Sequence, residues 1–266
     1  PEGRFGHQRR HQLQDLMIPP TSIDGTDITG ATIDGTDVTE ITVDGQTVFT
    51  AGPPAPASAI HHWVMDEGTG TTVRDFIGGL DGNANFSDWI SDSDFIGGTA
   101  LDFSGSDQID IANSRIDLQK GAILATAKNV GTGFNTLLCR RNNFYGEESI
   151  GSYSIGFNSN ICDCELVDGN VQDNIEFNTN PSQVQRYGFV WSVPDDILRL
   201  SINGTVVVDK NLDLSSVNNP NRDILIGQRE QGSTGFVGQI DNIILCNDVL
   251  TASELQTDFN AQPFAP

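Results

Sequence analysis

The residue types best suited to chemistry are unevenly placed along this chain. All four histidines (His7, His11, His61 and His62) fall within the first 62 of 266 positions. A nucleophile–imidazole–carboxylate relay needs its histidine beside the nucleophile, so no such triad is expected within the residues that follow. Cys139, Cys162, Cys164 and Cys246 do not make a zinc pattern: Cys162 and Cys164 are separated by one residue, and no histidine follows His62. Cys139 could bridge to Cys162 or Cys164 on a neighbouring strand, or all four could be buried thiols that pack as small apolar groups. Contact chemistry is better supplied. The run CRRNNFYGEE sets Arg140, Arg141, Asn142, Asn143, Phe144 and Tyr145 in what reads as a connecting loop. Aromatic faces stack on sugar C–H surfaces while amides and guanidinium groups direct hydroxyls, so this run and Trp89 are the candidate glycan or receptor contacts. Trp63 reads as core.

Charge narrows the partners. Lys+Arg number 14 against Asp+Glu 36, a formal net charge of −22. The only lysines are Lys120, Lys128 and Lys210, and the acidic residues are dispersed. Dispersed short carboxylates suit concentrated salt, where the Debye length shrinks to about 3 Å and self-repulsion is screened; the reading is halophilic. Without basic stripes the body is not expected to grip a nucleic-acid backbone. Residues 1–21 run the other way, with Arg4, Arg9 and Arg10 beside His7 and His11. They read as a docking segment for an acidic partner surface, or as a loose end. No apolar stretch of signal-peptide or membrane-spanning length occurs, which predicts neither export by that route nor membrane insertion.

Residues 22–50 repeat one phrase at ten-residue intervals. Ile23 and Ile28 straddle Asp24-Gly25, Ile33 and Val38 straddle Asp34-Gly35, and Val43 and Val48 straddle Asp44-Gly45. Asp-Gly between β-branched residues predicts a tight hairpin turn. Arms this short are not stable alone, so the repeats are expected to form a stalk that buries its apolar edge on copies of itself or on a larger assembly. A Pro/Ala spacer, residues 51–59, marks the boundary. From residue 60 onward short alternating runs such as ILRLSI and QIDIA predict an all-β, two-sheet jelly-roll sandwich. One helix is predicted in LTASELQTDFN, with Thr251 and Glu254 as a capping box and Leu255 and Phe259 on one face.

Residues 60–266 resemble the laminin-G-like, concanavalin A-like domains. The opening HHWVMDEGTGTTVRDFIGGLDGNA, the strand pair GGTALDFSGSDQIDIA and the closing LRLSINGTVV, ILIGQ and FVGQIDNIILCNDVLTASEL carry the likeness in order. The glycosidases of that superfamily use a Glu-x-Asp-x-x-Glu strand, which is missing here, so the resemblance implies a binder and no enzyme. It also implies calcium at one of two places: Asp66 or Glu67 with Asp241, or Asp107 and Gln108 with Glu230, where Arg229 departs from the expected acid. Taken with the repeats and the lysine-poor composition, the whole is similar to a structural protein of a haloarchaeal virus, a capsid turret, spike or tail fibre. That likeness implies a homo-oligomer (a trimer first, five- or six-fold next) joined to other virion proteins through the N-terminal segment. It further implies a place on the virion surface after synthesis in the host cytoplasm, and a host glycan or glycoprotein as target.

Overall fold

The computed structural model describes residues 22–23, 26–27, 31–33, 36–38, 40–43, 46–50, 54–114, 119–140, 152–168, 171–214, 222–228 and 235–262. The chain divides into two compact units, Pro1–Gly52 and Pro53–Pro266.

In the first unit β1 (Ser22–Ile23) pairs with β2 (Thr26–Asp27), β3 (Ala31–Ile33) with β4 (Thr36–Val38), and β5 (Glu40–Val43) with β6 (Gln46–Thr50), all antiparallel. The registers Ile23↔Thr26, Ile33↔Thr36 and Val43↔Gln46 close each ladder around its Asp-Gly pair. Within a repeat the two β-branched residues are therefore not cross-strand partners: Val38 faces Ala31, and Val48 falls where the β5–β6 register slips. Ile28 lies outside the described residues, as do Arg4, Arg9 and Arg10. Each pair is a separate two-stranded sheet.

The second unit runs β7 (Ala59–Trp63), β8 (Thr72–Val73), β9 (Gly82–Ala84), β10 (Trp89–Ser91), β11 (Thr99–Ser104), β12 (Ile109–Ser114), β13 (Lys120–Asn129) and β14 (Phe134–Arg140). It continues with β15 (Ser152–Asn158), β16 (Ile161–Asp168), β17 (Val171–Asn178), β18 (Gln185–Ser192), β19 (Ile197–Ile202), β20 (Thr205–Lys210), β21 (Arg222–Ile226), β22 (Val237–Cys246) and α1 (Ala252–Ala261). One sheet has the order β10-β11-β22-β13-β18-β19-β20, with β7 on the second half of β22; the other is β17-β16-β15-β14-β21-β12-β9-β8. Their ladders are antiparallel throughout, and the result is an all-β jelly-roll sandwich.

Period-2 side-chain alternation explains the core. Tyr187, Phe189 and Trp191 on β18 point between the sheets to meet Tyr153, Ile155 and Phe157 on β15. The other face of the first sheet is apolar too. Ala122, Leu124, Val190 and Ile244 form a second cluster under Leu250 and Leu255. Gly188 leaves room there, because a Cβ would press on Leu255 and Leu124. The expected capping box starts α1: Thr251 accepts from the Glu254 N–H, and Glu254 accepts from the Thr251 N–H. The buried helix residues are Leu255 and Asp258 rather than Leu255 and Phe259.

Asp258 goes inside because Arg186 waits there. Arg186, Thr126 and Asn242 are register neighbours across β18, β13 and β22 on the face that α1 covers. The Arg186 guanidinium donates twice to Asp258 (2.9 and 3.1 Å), to Thr126 Oγ1 (3.1 Å) and to Asn242 Oδ1 (2.9 Å). Residues 54–58, part of the expected Pro/Ala spacer 51–59, are strapped to the same region. Gln262 Nε2 donates to the Pro54 carbonyl, and Asn247 N–H to that of Ser58. Arg186→Met should lower the unfolding free energy by roughly 3–5 kcal/mol in urea titrations, since Asp258 would keep a buried, unpaired charge. Adding Asp258→Leu should recover most of that loss.

Candidate functional site

Two of the expected contact residues, Arg140 and Trp89, are committed to the scaffold. Arg140 ends β14 opposite Tyr153, which faces the core, and cross-strand partners share a face. Its side chain is accordingly buried, not displayed in a loop. Burial pushes the Tyr153 phenol well up, and the Arg140 charge offsets part of that rise. Arg141, Asn142, Asn143, Phe144 and Tyr145 lie outside the described residues. Trp89 packs against the main core from β10 and gives its ring N–H to the Gly70 carbonyl at 2.9 Å. It is a packing residue with a partly exposed edge.

The carboxylates proposed for calcium are dispersed in role. Asp66 is exposed and Glu67 half-buried, with Glu67 Oε1 accepting from the Arg74 N–H at 2.7 Å; burial raises the Glu67 pKa. Asp241 is fully buried on β22. Asp107 closes a turn by accepting from Ser104 N and Oγ, each at 2.7 Å. Gln108 donates to Asp110 through its side chain and to Asn85 through its N–H. Glu230 lies outside the described residues. Among the described residues no three carboxylate, imidazole or thiolate side chains converge as a metal cage.

The cysteines are all free and buried. Cys139, on β14, is separated from Cys162 and Cys164 by the whole of β15. The latter two sit on alternate residues of β16 with sulfurs 4.0 Å apart, and burial pushes the Cys164 thiol well up, with Cys162 adding to the rise.

One histidine–carboxylate pair does form. Asp75 takes His61 Nδ1 (2.7 Å) and the N–H groups of His62, Ile77, Gly78 and Leu80. The His61 ring stacks on Trp63, whose own N–H reaches the Leu80 carbonyl. Gly78 is required there, since a Cβ would collide with His61 Nδ1 and the Ile60 carbonyl. The pair therefore shapes the 74–81 loop. Desolvation alone would raise the Asp75 pKa, but these hydrogen bonds outweigh it and hold the carboxyl below its ordinary 3.8.

A polar row stands on the outer face of the second sheet. Cys162, Cys164 and Leu166 fill the core, so alternation turns Asp163 and Glu165 outward. Register sets Glu176 opposite Asp163, and Asn174 and Ser154 on either side of Glu165. Gln172 Nε2 and Ser154 Oγ donate to the two Glu165 oxygens at 3.2 and 3.4 Å, and Asn174 donates to Glu176 at 3.5 Å. Asp163 and Glu165 are recessed, at 9% and 7% exposure, whereas Gln172 and Glu176 are exposed. Fixed carboxylate and amide oxygens on a stiff sheet can accept from several hydroxyls at once. The alternating Cys-Asp-Cys-Glu run is the sequence signal for this row.

No protein-family model and no curated protein matches this sequence. Solved structures do. The receptor-binding domain of botulinum neurotoxin type G superposes with a TM-score of 0.57 at 16% identity, over 77% of this chain and 51% of that one. A botulinum neurotoxin type C structure, whose title ties cell entry to two ganglioside molecules, gives 0.58 at 14%, over 78% and 52%. The serotype D ligand-binding domain in complex with N-acetylneuraminic acid gives 0.58 at 12%, over 77% and 51%. They share a fold. The chain spans about half the length of each of these structures.

Because Asp75 is held below its unfolded value, its contribution is complete above about pH 4 and lost as pH falls through its folded pKa. Asp75→Asn should lower stability by roughly 1–3 kcal/mol at pH 7. The gap to the unaltered protein should narrow steadily as pH falls below about 4, as followed by chemical denaturation at each pH.

Proposed function

We propose that this protein is a non-catalytic binder of cell-surface glycans, and that the sandwich carries its ligand on the outer face of β15, β16 and β17. The observation that carries the reading is the row Ser154, Asp163, Glu165, Gln172, Asn174 and Glu176, fixed by strand register and cross-linked by its own hydrogen bonds. Neighbouring structures named for ganglioside and N-acetylneuraminic acid give the fold a glycan-binding precedent. Three carboxylates in the row, on a chain of net charge −22, disfavour an acidic sugar and favour neutral hydroxyl-rich glycans.

The N-terminal repeats mount this binder on a particle. In this reading the protein is a virion surface component of a halophilic archaeal virus, a turret, spike or tail fibre, assembled as a homo-oligomer through residues 1–50. The acidic, lysine-poor composition and the decad repeats support the assignment. A cellular surface adhesin is the second reading, favoured if the gene start extends upstream into an export signal.

Glycan arrays probed with the full chain in high salt should show neutral oligosaccharides bound. Glu165→Gln and Asn174→Ala should each weaken binding by about 10-fold or more without moving Tm. Unchanged binding in both variants would remove the outer face as the site, and hydrolysis of a bound glycan lost in Glu165→Gln would turn the binder into an enzyme. Deleting residues 1–50 should leave a monomeric, binding-competent body by light scattering. An oligomer persisting unchanged would overturn the mounting role.

A further inference from the structure

The hydrogen bonds under α1 have a direction that only one protonation state permits. A guanidinium donates and never accepts, so the Asn242 oxygen must face Arg186 Nη1, at 2.9 Å. The Asn242 amide nitrogen is thereby turned to His62 Nε2 (3.0 Å) and Gln262 Oε1 (3.3 Å). Gln262, with its oxygen taken, offers its own amide nitrogen to the Pro54 carbonyl. Donation therefore runs one way from Arg186 through Asn242, with His62 Nε2 as a bare acceptor and the proton on Nδ1.

We propose that His62 is the acid-sensitive catch of a latch that holds residues 54–58 and the C-terminal end of α1 against the first sheet. A proton on Nε2 would set an N–H against the Asn242 amide donors. Asn242 cannot turn over in reply, because its NH₂ would then meet the Arg186 donors. The contact must break. Asn242 is also the link to Gln262, and Gln262 is both the C-cap of α1 and the tether of Pro54. Breaking it frees the strap through which the body joins the N-terminal repeats.

The surroundings oppose the charge. The groups that act on His62 are Arg186 from β18, Asn242 from β22, and Asp75, which accepts the His62 N–H at 2.9 Å; Asp258 and Gln262, from α1 and its cap, stand one hydrogen bond further away, on Arg186 and Asn242. The Asp258 charge is already matched by Arg186 in a two-pronged pair. Burial, then the Arg186 charge, bring the His62 pKa down from 6.5 to about 4, against smaller upward pulls from Asn242 and Asp75. An opened latch returns the imidazole to its ordinary value. The closed state is thus fully favoured above about pH 6.5, and loses that advantage as pH falls from there toward 4.

Hydrogen exchange on the full chain tests this, with intrinsic rates corrected for pH. The opening constant for amides of residues 255–262 and 57–59 should rise by up to about tenfold per pH unit below 6.5, reaching about 150-fold at pH 4 and levelling near about 300-fold below it, while β13 and β18 stay protected. His62→Gln, which keeps an acceptor but cannot titrate, should flatten that dependence. Equal slopes in the two proteins, or β13 and β18 loosening in step with α1, would overturn the latch. Should His62→Gln fail to fold, the imidazole resonances of the unaltered protein decide. Titration near pH 6.5 without movement of the Gln262 side-chain amide refutes the proposal; a neutral ring down to about pH 4 that then moves together with Gln262 upholds it.

Discussion

A single buried guanidinium organises one side of this sandwich. Arg186 sits on a face that the rest of the sheet makes apolar, and removing such a charge from water costs several kcal/mol unless its donors are matched. The matching groups come from β13, β22 and α1, elements far apart in the chain. The helix is held by more than Leu255 and its neighbours, and its angle on the sheet is set by the two-pronged contact with Asp258. Apolar packing is tolerant of small slides, whereas a paired guanidinium and carboxylate is not. The polar cluster therefore supplies registration where the apolar cluster supplies most of the adhesion.

Asp75 plays a matching part at the opposite edge of β7. One carboxylate gathers a ring nitrogen and four backbone N–H groups, turning a glycine-rich loop into a fixed wall of the core. His62 belongs to both clusters, by its backbone N–H to Asp75 and by its ring to Asn242. A continuous polar seam thus runs from the 74–81 loop to the end of α1. The outer face of the second sheet has no helix over it in the described residues, and its recessed Glu165 is held by Ser154 and Gln172.

Much of the sandwich was legible in the sequence because most strands are half-buried and alternate. The central β13, KGAILATAKN, was not. Both of its faces are covered, one by the opposing sheet and one by α1, so it shows no alternation, and its alanines carry little strand preference. β16 is hidden for another reason: its inward residues Cys162 and Cys164 carry a weaker apolar signal than branched aliphatic residues, so ICDCELVD shows little apolar alternation in the sequence. The capping box gave the helix start, yet its inner face could not be judged without knowing that Arg186 lay beneath. Arg140 opens a polar run that reads as loop in the sequence, whereas β14 carries its ladder through it, opposite Tyr153. The polar row is a product of register across three strands, a property no single segment displays.

The first strand of the body pairs with its last. β7 lies on β22, and the Gln262–Pro54 hydrogen bond spans 208 positions. On the ribosome β7 is made early and has no partner on β22 until nearly the whole body has been synthesised. Its apolar residues, Trp63 among them, must wait unpaired through most of translation, and closure of so long a loop makes the final step slow. A chain truncated before β22 would lose more than a strand from one sheet, because the opening segment would have nothing to complete it.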